Sequence, residues 1–205
     1  MTASTRAGTP TRICVTRHGE TDWNISGVLQ GWIDVSLNAN GRRQSVEMAE
    51  DFRDQCFDCV WTSPLRRAAE SAEIVAATLG LPPPTQWAGL KERHFGRIQG
   101  MTKADLAILH PGLHEDIIRR DPTCVFDQGE SLDDFADRVM GSIELIGQRH
   151  PGERVLVMTH GWVMDVMTRQ VRGLPRTAVL DLKRKNGESL WLTVTAGSIA
   201  LADAH

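Results

Sequence analysis

Three short apolar runs, each followed at once by a polar loop, stand out along the chain. They span residues 13–15, 59–61 and 155–158, and each is too brief for a helix. Such runs are typical of strands that are buried on both faces of a sheet. Late in the chain, residues 190–194 and 198–201 alternate between apolar and polar side chains, which predicts two further strands.

Helix signals fill the stretches between these runs. Asn38 is a suitable N-cap for a helix reaching about Asp54, and Ser63 before Pro64 is another cap signal, with Gly80 ending that helix. Ser131 predicts the start of a third helix. Strands that alternate with helices are typical of an α/β fold, so we predict a three-layer sandwich with a mostly parallel central sheet flanked by helices.

Apolar spacing predicts which helical residues face the core. The helix after Asn38 is expected to bury Val46, Ala49 and Phe52. The helix after Ser131 carries apolar residues at three- and four-residue spacing, which we also interpret as core packing.

A chain of 205 residues with 41% hydrophobic content can bury one sizeable core. We therefore predict a loose polar tail over residues 1–10 and a single domain over 11–205. The pattern weakens over about 100–128, where a helix over 102–109 is followed by a break at Pro111. This segment is expected to form a small cap over the functional site.

Charge and cysteine content narrow the class of protein. The formal net charge of -3 gives no electrostatic basis for binding nucleic acid or an anionic membrane. No signal peptide or membrane-spanning run is recognisable, so a cytoplasmic location is expected. Cys56 and Cys59 have metal-like spacing, but no second pair completes a zinc site, and no metal is predicted. The four cysteines fit a reducing compartment.

The polar loops carry the candidate chemistry. Loops after parallel strands meet at the carboxyl edge of the sheet, where ligands bind. They bring Arg17 and His18 from the first strand, Arg66 or Arg67 from the second and His160 from the third. Arginines beside histidines disfavour a metal and favour a bound dianion such as phosphate.

A histidine among arginines can also attack phosphorus and carry the phosphoryl group covalently. His18 is the candidate nucleophile, and backbone N–H groups near Gly19 and Gly161 are candidate donors to the phosphate. Taken singly, each of these residues has a structural alternative: a hydrogen-bonded buried histidine, or arginines on a solvated helix face. Their repetition at equivalent strand ends favours function.

Five segments of the chain resemble the motifs of a known family, and they occur in the same order as in that family. Residues 17–21, 63–68, 90–96, 129–131 and 159–161 resemble the motifs of the histidine phosphatase superfamily, also called the phosphoglycerate mutase-like family. This resemblance implies that Arg67, rather than Arg66, is catalytic. It also implies that Glu92 is the acid and base of the reaction.

The implied mechanism needs no metal or cofactor. His18 takes the phosphoryl group of a small phosphorylated metabolite, while Arg17, Arg67 and His160 hold the phosphoryl oxygens. The same resemblance places six residues in contact with phosphate or substrate: Asn24, Gln30, Gly31, Arg93, His94 and Gly161.

Two branches of this family differ in the acceptor of the phosphoryl group. The Gln30-Gly31 pair, the short segment between Glu92 and His160, and Trp162 favour a phosphatase, in which water is the acceptor. The loop after Glu92 is similar to that of cofactor-dependent phosphoglycerate mutases, which remain the alternative. A phosphate-binding module without turnover and a metal-dependent hydrolase are alternatives from other classes. The oligomeric state, a homodimer included, is left open.

Overall fold

The computed structural model describes residues 8–203, which form one six-stranded sheet with helices on both faces. The strands are β1 (Thr11–Arg17), β2 (Cys59–Thr62), β3 (Thr85–Gln86), β4 (Arg154–Thr159), β5 (Ser189–Thr195) and β6 (Ser198–Leu201). The helices are α1 (Asp22–Ile25), α2 (Ala39–Asp51), α3 (Arg66–Leu79), α4 (Lys103–Leu109), α5 (Pro111–Arg119), α6 (Leu132–Arg149) and α7 (Gly161–Val171). The predicted α/β class is confirmed.

The sheet order, β3-β2-β4-β1-β5-β6, places the three predicted buried strands side by side. β1 and β2 both pair in parallel with β4, and the register sets Arg17 beside Thr159 and Thr62 beside Met158. Their carboxyl ends therefore lie level, and the loops that follow them emerge together. β5 runs antiparallel to β1, and β5 and β6 form an antiparallel hairpin at the edge of the sheet far from β3.

Two hydrophobic clusters cover the two faces of the sheet, as the pleat of β1 requires. Ile13 and Val15 point into the cluster that includes α6 and α7, whereas Cys14 points into the one that includes α2 and α3. Successive strand residues face opposite sides. All three side chains are fully buried, which confirms the three-layer arrangement.

Most predicted helix boundaries agree with the structure. The side chain of Asn38 accepts a hydrogen bond from the Gly41 N–H, and that of Ser131 accepts one from the Asp134 N–H. Gly80 ends α3 with φ of 69°, the left-handed conformation that glycine adopts without strain.

Two local predictions were wrong. Val46 is 43% exposed, because the buried stripe of α2 runs through Ser45, Met48 and Ala49 instead. Ser63 does not cap a helix directly, since α3 begins later and its N-cap is Leu65. The Ser63 hydroxyl accepts the Leu65 N–H at 3.2 Å and is left to make a second contact.

The segment predicted to form a cap contains α4 and α5, which pack on each other and bury Leu106 and Ile117. Of the predicted tail, residues 1–7 lie outside the described residues, and residues 8–10 are exposed. Within residues 8–203, no helix has the length and apolar character needed to cross a membrane.

Candidate active site

A cavity of about 150 Å³ opens at the carboxyl edge of the sheet, where the three strand-end loops meet. Eight of the predicted site residues line it: Arg17, His18, Asn24, Gln30, Gly31, Arg67, Glu92 and Gly161. These residues come from segments as far apart in sequence as β1 and α7, so the fold gathers them as the sequence predicted.

His18 is buried and tightly oriented. Its backbone N–H donates to the Thr159 carbonyl at 3.0 Å, and its ring Nδ1 lies 2.6 Å from the Gly19 carbonyl. A carbonyl only accepts, so Nδ1 carries the proton and Nε2 keeps a free electron pair. Burial, and then the charges of Arg67 and Arg17, hold the pKa of His18 well below its ordinary value. The ring is therefore neutral at pH 7 and suited to attack phosphorus.

Arg67 donates to that electron pair. Its Nε donates to His18 Nε2 at 3.3 Å, and its two terminal nitrogens donate to the carbonyls of Ile33 and Gly31 at 3.1 and 2.8 Å. Burial lowers the pKa of Arg67 to about 10, so the group stays charged at neutral pH. The neighbouring Arg66 is exposed, which agrees with the choice of Arg67 over Arg66.

Arg17 is the last residue of β1, and it also lines the cavity. Its Nη1 donates to the carbonyl of Arg184, while its buried Nε has no hydrogen-bond partner among the described residues. A buried cationic N–H without an acceptor is rare and points to an anion as its partner.

His160 is fully buried and packs edge-on to His18, with 5.2 Å between the ring centroids. It does not line the cavity itself. Its Nε2 lies 2.8 Å from the hydroxyl of Ser63, and its Nδ1 has no partner in the described chain. Burial and the charge of Arg67 keep the pKa of His160 well below its ordinary value. Ser63, read from the sequence as a helix cap, thus orients His160.

Glu92 closes one wall of the cavity. Its Oε1 accepts the Arg93 N–H at 3.0 Å and its Oε2 accepts the Trp162 N–H at 3.3 Å. Burial raises the pKa of Glu92, although these two N–H groups and the charges of Arg120 and Arg67 oppose the rise. A carboxyl group that holds its proton at higher pH is suited to act as a general acid.

Two of the residues predicted to contact substrate, Arg93 and His94, do not line this cavity. The guanidinium of Arg93 lies outside the cavity, where it donates to the carbonyls of Pro122 and Cys124 at 2.8 and 2.9 Å and stacks on Phe126. His94 also lies outside, edge-on to Trp32 with 4.9 Å between centroids.

The cavity also contains two cations from the segment predicted to form a cap. Lys103, at the start of α4, and Arg120, just after α5, both line it. Arg120 stacks over Trp162 at 5.2 Å from the ring centroid and pairs with Asp165. The Asp165 contact had no signal in the sequence, since it depends on tertiary packing.

The paired cysteines lie elsewhere. Cys56 is exposed, whereas Cys59 begins β2 at the edge of the sheet opposite to the cavity, beside His150 and Glu153. His150 Nε2 accepts the Trp61 indole N–H at 2.9 Å, so Nδ1 holds the ring proton and donates to Glu153 at 2.7 Å. Both ring nitrogens of His150 are therefore occupied by neighbours.

Comparison with known proteins agrees with this geometry. Residues 13–204 match the histidine phosphatase superfamily (branch 1). The uncharacterized phosphatase PhoE of Bacillus subtilis is 35% identical over 163 residues, 80% of this chain and 78% of that protein. A metal-independent phosphoserine phosphatase of Arabidopsis thaliana is 38% identical over 156 residues, 75% of this chain and 66% of that protein.

Among solved structures, that of Bacillus stearothermophilus YhfR superposes with a TM-score of 0.86 at 28% identity. The superposition covers 95% of this chain and 96% of the YhfR chain. Other relatives carry the name of probable phosphoglycerate mutase. A buried histidine with an unprotonated ring nitrogen beside arginines is the kind of site found in phosphoryl-transfer enzymes. The chain belongs to the histidine phosphatase superfamily.

Proposed function

We propose that this enzyme hydrolyses a small phosphomonoester through a phosphohistidine formed on His18. The observation that carries the proposal is the unprotonated Nε2 of a neutral His18, which accepts a hydrogen bond from Arg67 Nε at 3.3 Å while Nδ1 donates to the Gly19 carbonyl. An unprotonated nitrogen among cations that attract phosphate is suited to nucleophilic attack on phosphorus.

In the first step, His18 Nε2 forms a bond to phosphorus and the bond from phosphorus to the ester oxygen breaks. Arg17 and Arg67 would hold the non-bridging oxygens, and the unpartnered Nδ1 of His160 would donate to one of them when Ser63 donates to Nε2. Glu92, with its raised pKa, would give its proton to the departing ester oxygen.

In the second step, water attacks the phosphorus of the phosphohistidine. Glu92, now ionised, would take a proton from that water, and the bond between phosphorus and His18 Nε2 breaks. Inorganic phosphate then leaves, and both residues return to their starting protonation states. One carboxyl group thus serves as acid and then as base, as the order of events requires.

The cavity walls favour water as the acceptor. Trp162, Phe95 and Ile117 present apolar surface beside the reacting groups, and the cap over them consists of two short helices. A mutase must instead retain a charged intermediate and exclude water. The presence of Lys103 and Arg120 in the same cavity is the observation that favours the mutase, because these cations suit a second anionic group.

The deciding experiment is incubation with 3-phosphoglycerate, with and without 2,3-bisphosphoglycerate, while free phosphate and 2-phosphoglycerate are both measured. We expect phosphate release and no requirement for the bisphosphate. Formation of 2-phosphoglycerate without phosphate release would overturn the phosphatase in favour of the mutase.

The nucleophile is tested with a His18→Ala variant and a His110→Ala control, since His110 is exposed and outside the cavity. We expect the first to lose turnover and the acid-labile phosphoenzyme, and the second to keep both. A phosphoenzyme that survives in His18→Ala would show that another residue accepts the phosphoryl group.

A further inference from the structure

Asp165 is a fully buried carboxylate outside the reacting groups. It lies in α7, five residues after His160. Its Oδ2 accepts a hydrogen bond from Arg120 Nε at 2.7 Å and lies 2.6 Å from Arg120 Nη2 in an ion pair, and its Oδ1 accepts from Nε of Arg184 at 2.9 Å. A buried carboxylate is costly unless it is paired, and two guanidinium groups from distant segments provide its partners.

The contact with Arg120 determines where a cap residue points. Arg120 ends α5 with φ of 55°, and its guanidinium packs over the Trp162 ring and lines the cavity. It also packs on Gly161, where an added Cβ would lie only 3.3 Å from Nη2. Its Nε donates to Asp165, whereas its buried Nη2 has no hydrogen-bond acceptor among the described residues.

The contact with Arg184 holds Asp165 itself in place. The side chain of Arg184 is 6% exposed and also bonds Thr168 and Glu188. Its carbonyl accepts from Arg17 in the phosphate site. Asp165 is therefore clamped from one side and presents its other oxygen to Arg120.

We propose that Asp165 is a positioning residue that aims Arg120 at the organic part of the substrate without touching the substrate. The inference rests on the proposed phosphatase function. Without the carboxylate, the face of the Trp162 ring would be the main contact holding the Arg120 guanidinium near Gly161 among the described residues. The charges of Arg120 and Arg17 repel each other, and Glu92 would be the nearest competing carboxylate in the cavity.

The substitution Asp165→Asn separates the two contacts. Asparagine keeps one oxygen, which can still accept from Arg184, whereas its NH2 group would face the donors of Arg120. Asp51→Asn is the matched control, because it makes the same charge change at an exposed end of α2.

The test compares two probes in the wild type, Asp165→Asn, Arg120→Met and the double variant. The KM for p-nitrophenyl phosphate measures the interaction with a substrate whose only anionic group is its phosphate. The inhibition constant of O-phosphoserine measures the binding of a compound that also carries a carboxylate. For Asp165→Asn we expect the inhibition constant to rise about 10-fold while KM changes less than about 3-fold. In the Arg120→Met background, Asp165→Asn should add less than about 2-fold to either constant.

Equal losses for both probes, or additive losses in the double variant, would overturn the proposal, because a purely structural carboxylate acts independently of Arg120. If Asp165→Asn does not fold, Asp165→Glu keeps the charge but displaces it, and the same selective loss is expected. Absence of wild-type turnover would refute the proposed function alone. Calorimetric binding of O-phosphoserine and inorganic phosphate would then provide the same comparison.

Discussion

Replacing Glu92 with glutamine separates the two halves of the proposed reaction. The change preserves size, and the glutamine oxygen can still accept the Arg93 N–H that Glu92 accepts at 3.0 Å. The second contact, with the Trp162 N–H, is long at 3.3 Å, so its loss costs only about 0.5–1.5 kcal/mol. The main effect is therefore the loss of a transferable proton from the wall of the cavity.

The magnitude depends on the leaving group. General acid catalysis contributes roughly 10²- to 10⁴-fold, equivalent to about 3–5 kcal/mol. An alkyl phosphate such as phosphoserine needs the proton, so its turnover should fall by that factor. p-Nitrophenolate leaves without protonation, so phosphorylation of His18 by p-nitrophenyl phosphate should slow by less than about 10-fold.

The assay is rapid mixing with p-nitrophenyl phosphate. Because Glu92 is also the base for the attack of water, the variant should release one equivalent of p-nitrophenolate in a burst and then turn over slowly as phosphohistidine accumulates. Glu73→Gln, on the exposed face of α3, is the control and should show wild-type kinetics. Equal slowing of the burst and of phosphoserine turnover would refute the assignment of Glu92 as acid.

Three further outcomes follow from the geometry. Arg67→Ala should lower kcat/KM by about 10²- to 10³-fold, whereas Arg66→Ala, at an exposed position, should change it less than about 3-fold; steady-state kinetics of the pair checks the choice between them. Gly19→Ala would place a Cβ 2.3 Å from the Gly41 carbonyl, so a urea titration should show roughly 1–3 kcal/mol less stability. A wild-type midpoint would argue against that close approach. Because burial raises the folded-state pKa of Glu92 above 4.5, ionising it opposes folding increasingly as pH rises from 4.5 through that pKa. The stability of Glu92→Gln relative to wild type should therefore rise with pH across this window and stay constant below pH 4.5, and parallel stability curves would contradict the raised pKa.

Local sequence signals predicted much of the fold because they act over a few residues. Asn38 and Ser131 cap helices through N–H groups three residues ahead, and Gly80 ends one through its own backbone. Ser63 carries the same kind of signal, but its hydroxyl is used by His160, a residue far away in sequence. A serine beside a functional loop can therefore cap a helix or orient a side chain of the site, and the sequence alone does not distinguish the two roles.

The site was predicted where its residues end buried strands, since parallel pairing brings those ends together. Arg17, His18 and His160 follow from that rule, whereas Glu92 came only from the family resemblance. The rule says nothing about residues in irregular segments. Arg93 also came only from the resemblance, but its guanidinium holds a loop through backbone carbonyls.

Asp165 was missed for another reason. It is a single acid in an apolar helix, and its meaning depends on two arginines brought to it by tertiary packing. No spacing within α7 marks such a contact, so only the folded chain reveals it.

The segment that follows Arg184 holds the backbone at His18, so the nucleophile can be positioned only after this segment has been synthesised. Asn186 donates to the His18 carbonyl at 2.8 Å, and the backbone of Arg17 bonds Gly187 and Glu188. A chain emerging from the ribosome presents His18 early, whereas Asn186 is synthesised 168 residues later. We expect nascent chains stalled before residue 184 to lack phosphatase activity, and activity to appear only in chains that extend beyond this segment. The chain would thus remain catalytically silent until the segment after Arg184 has been made.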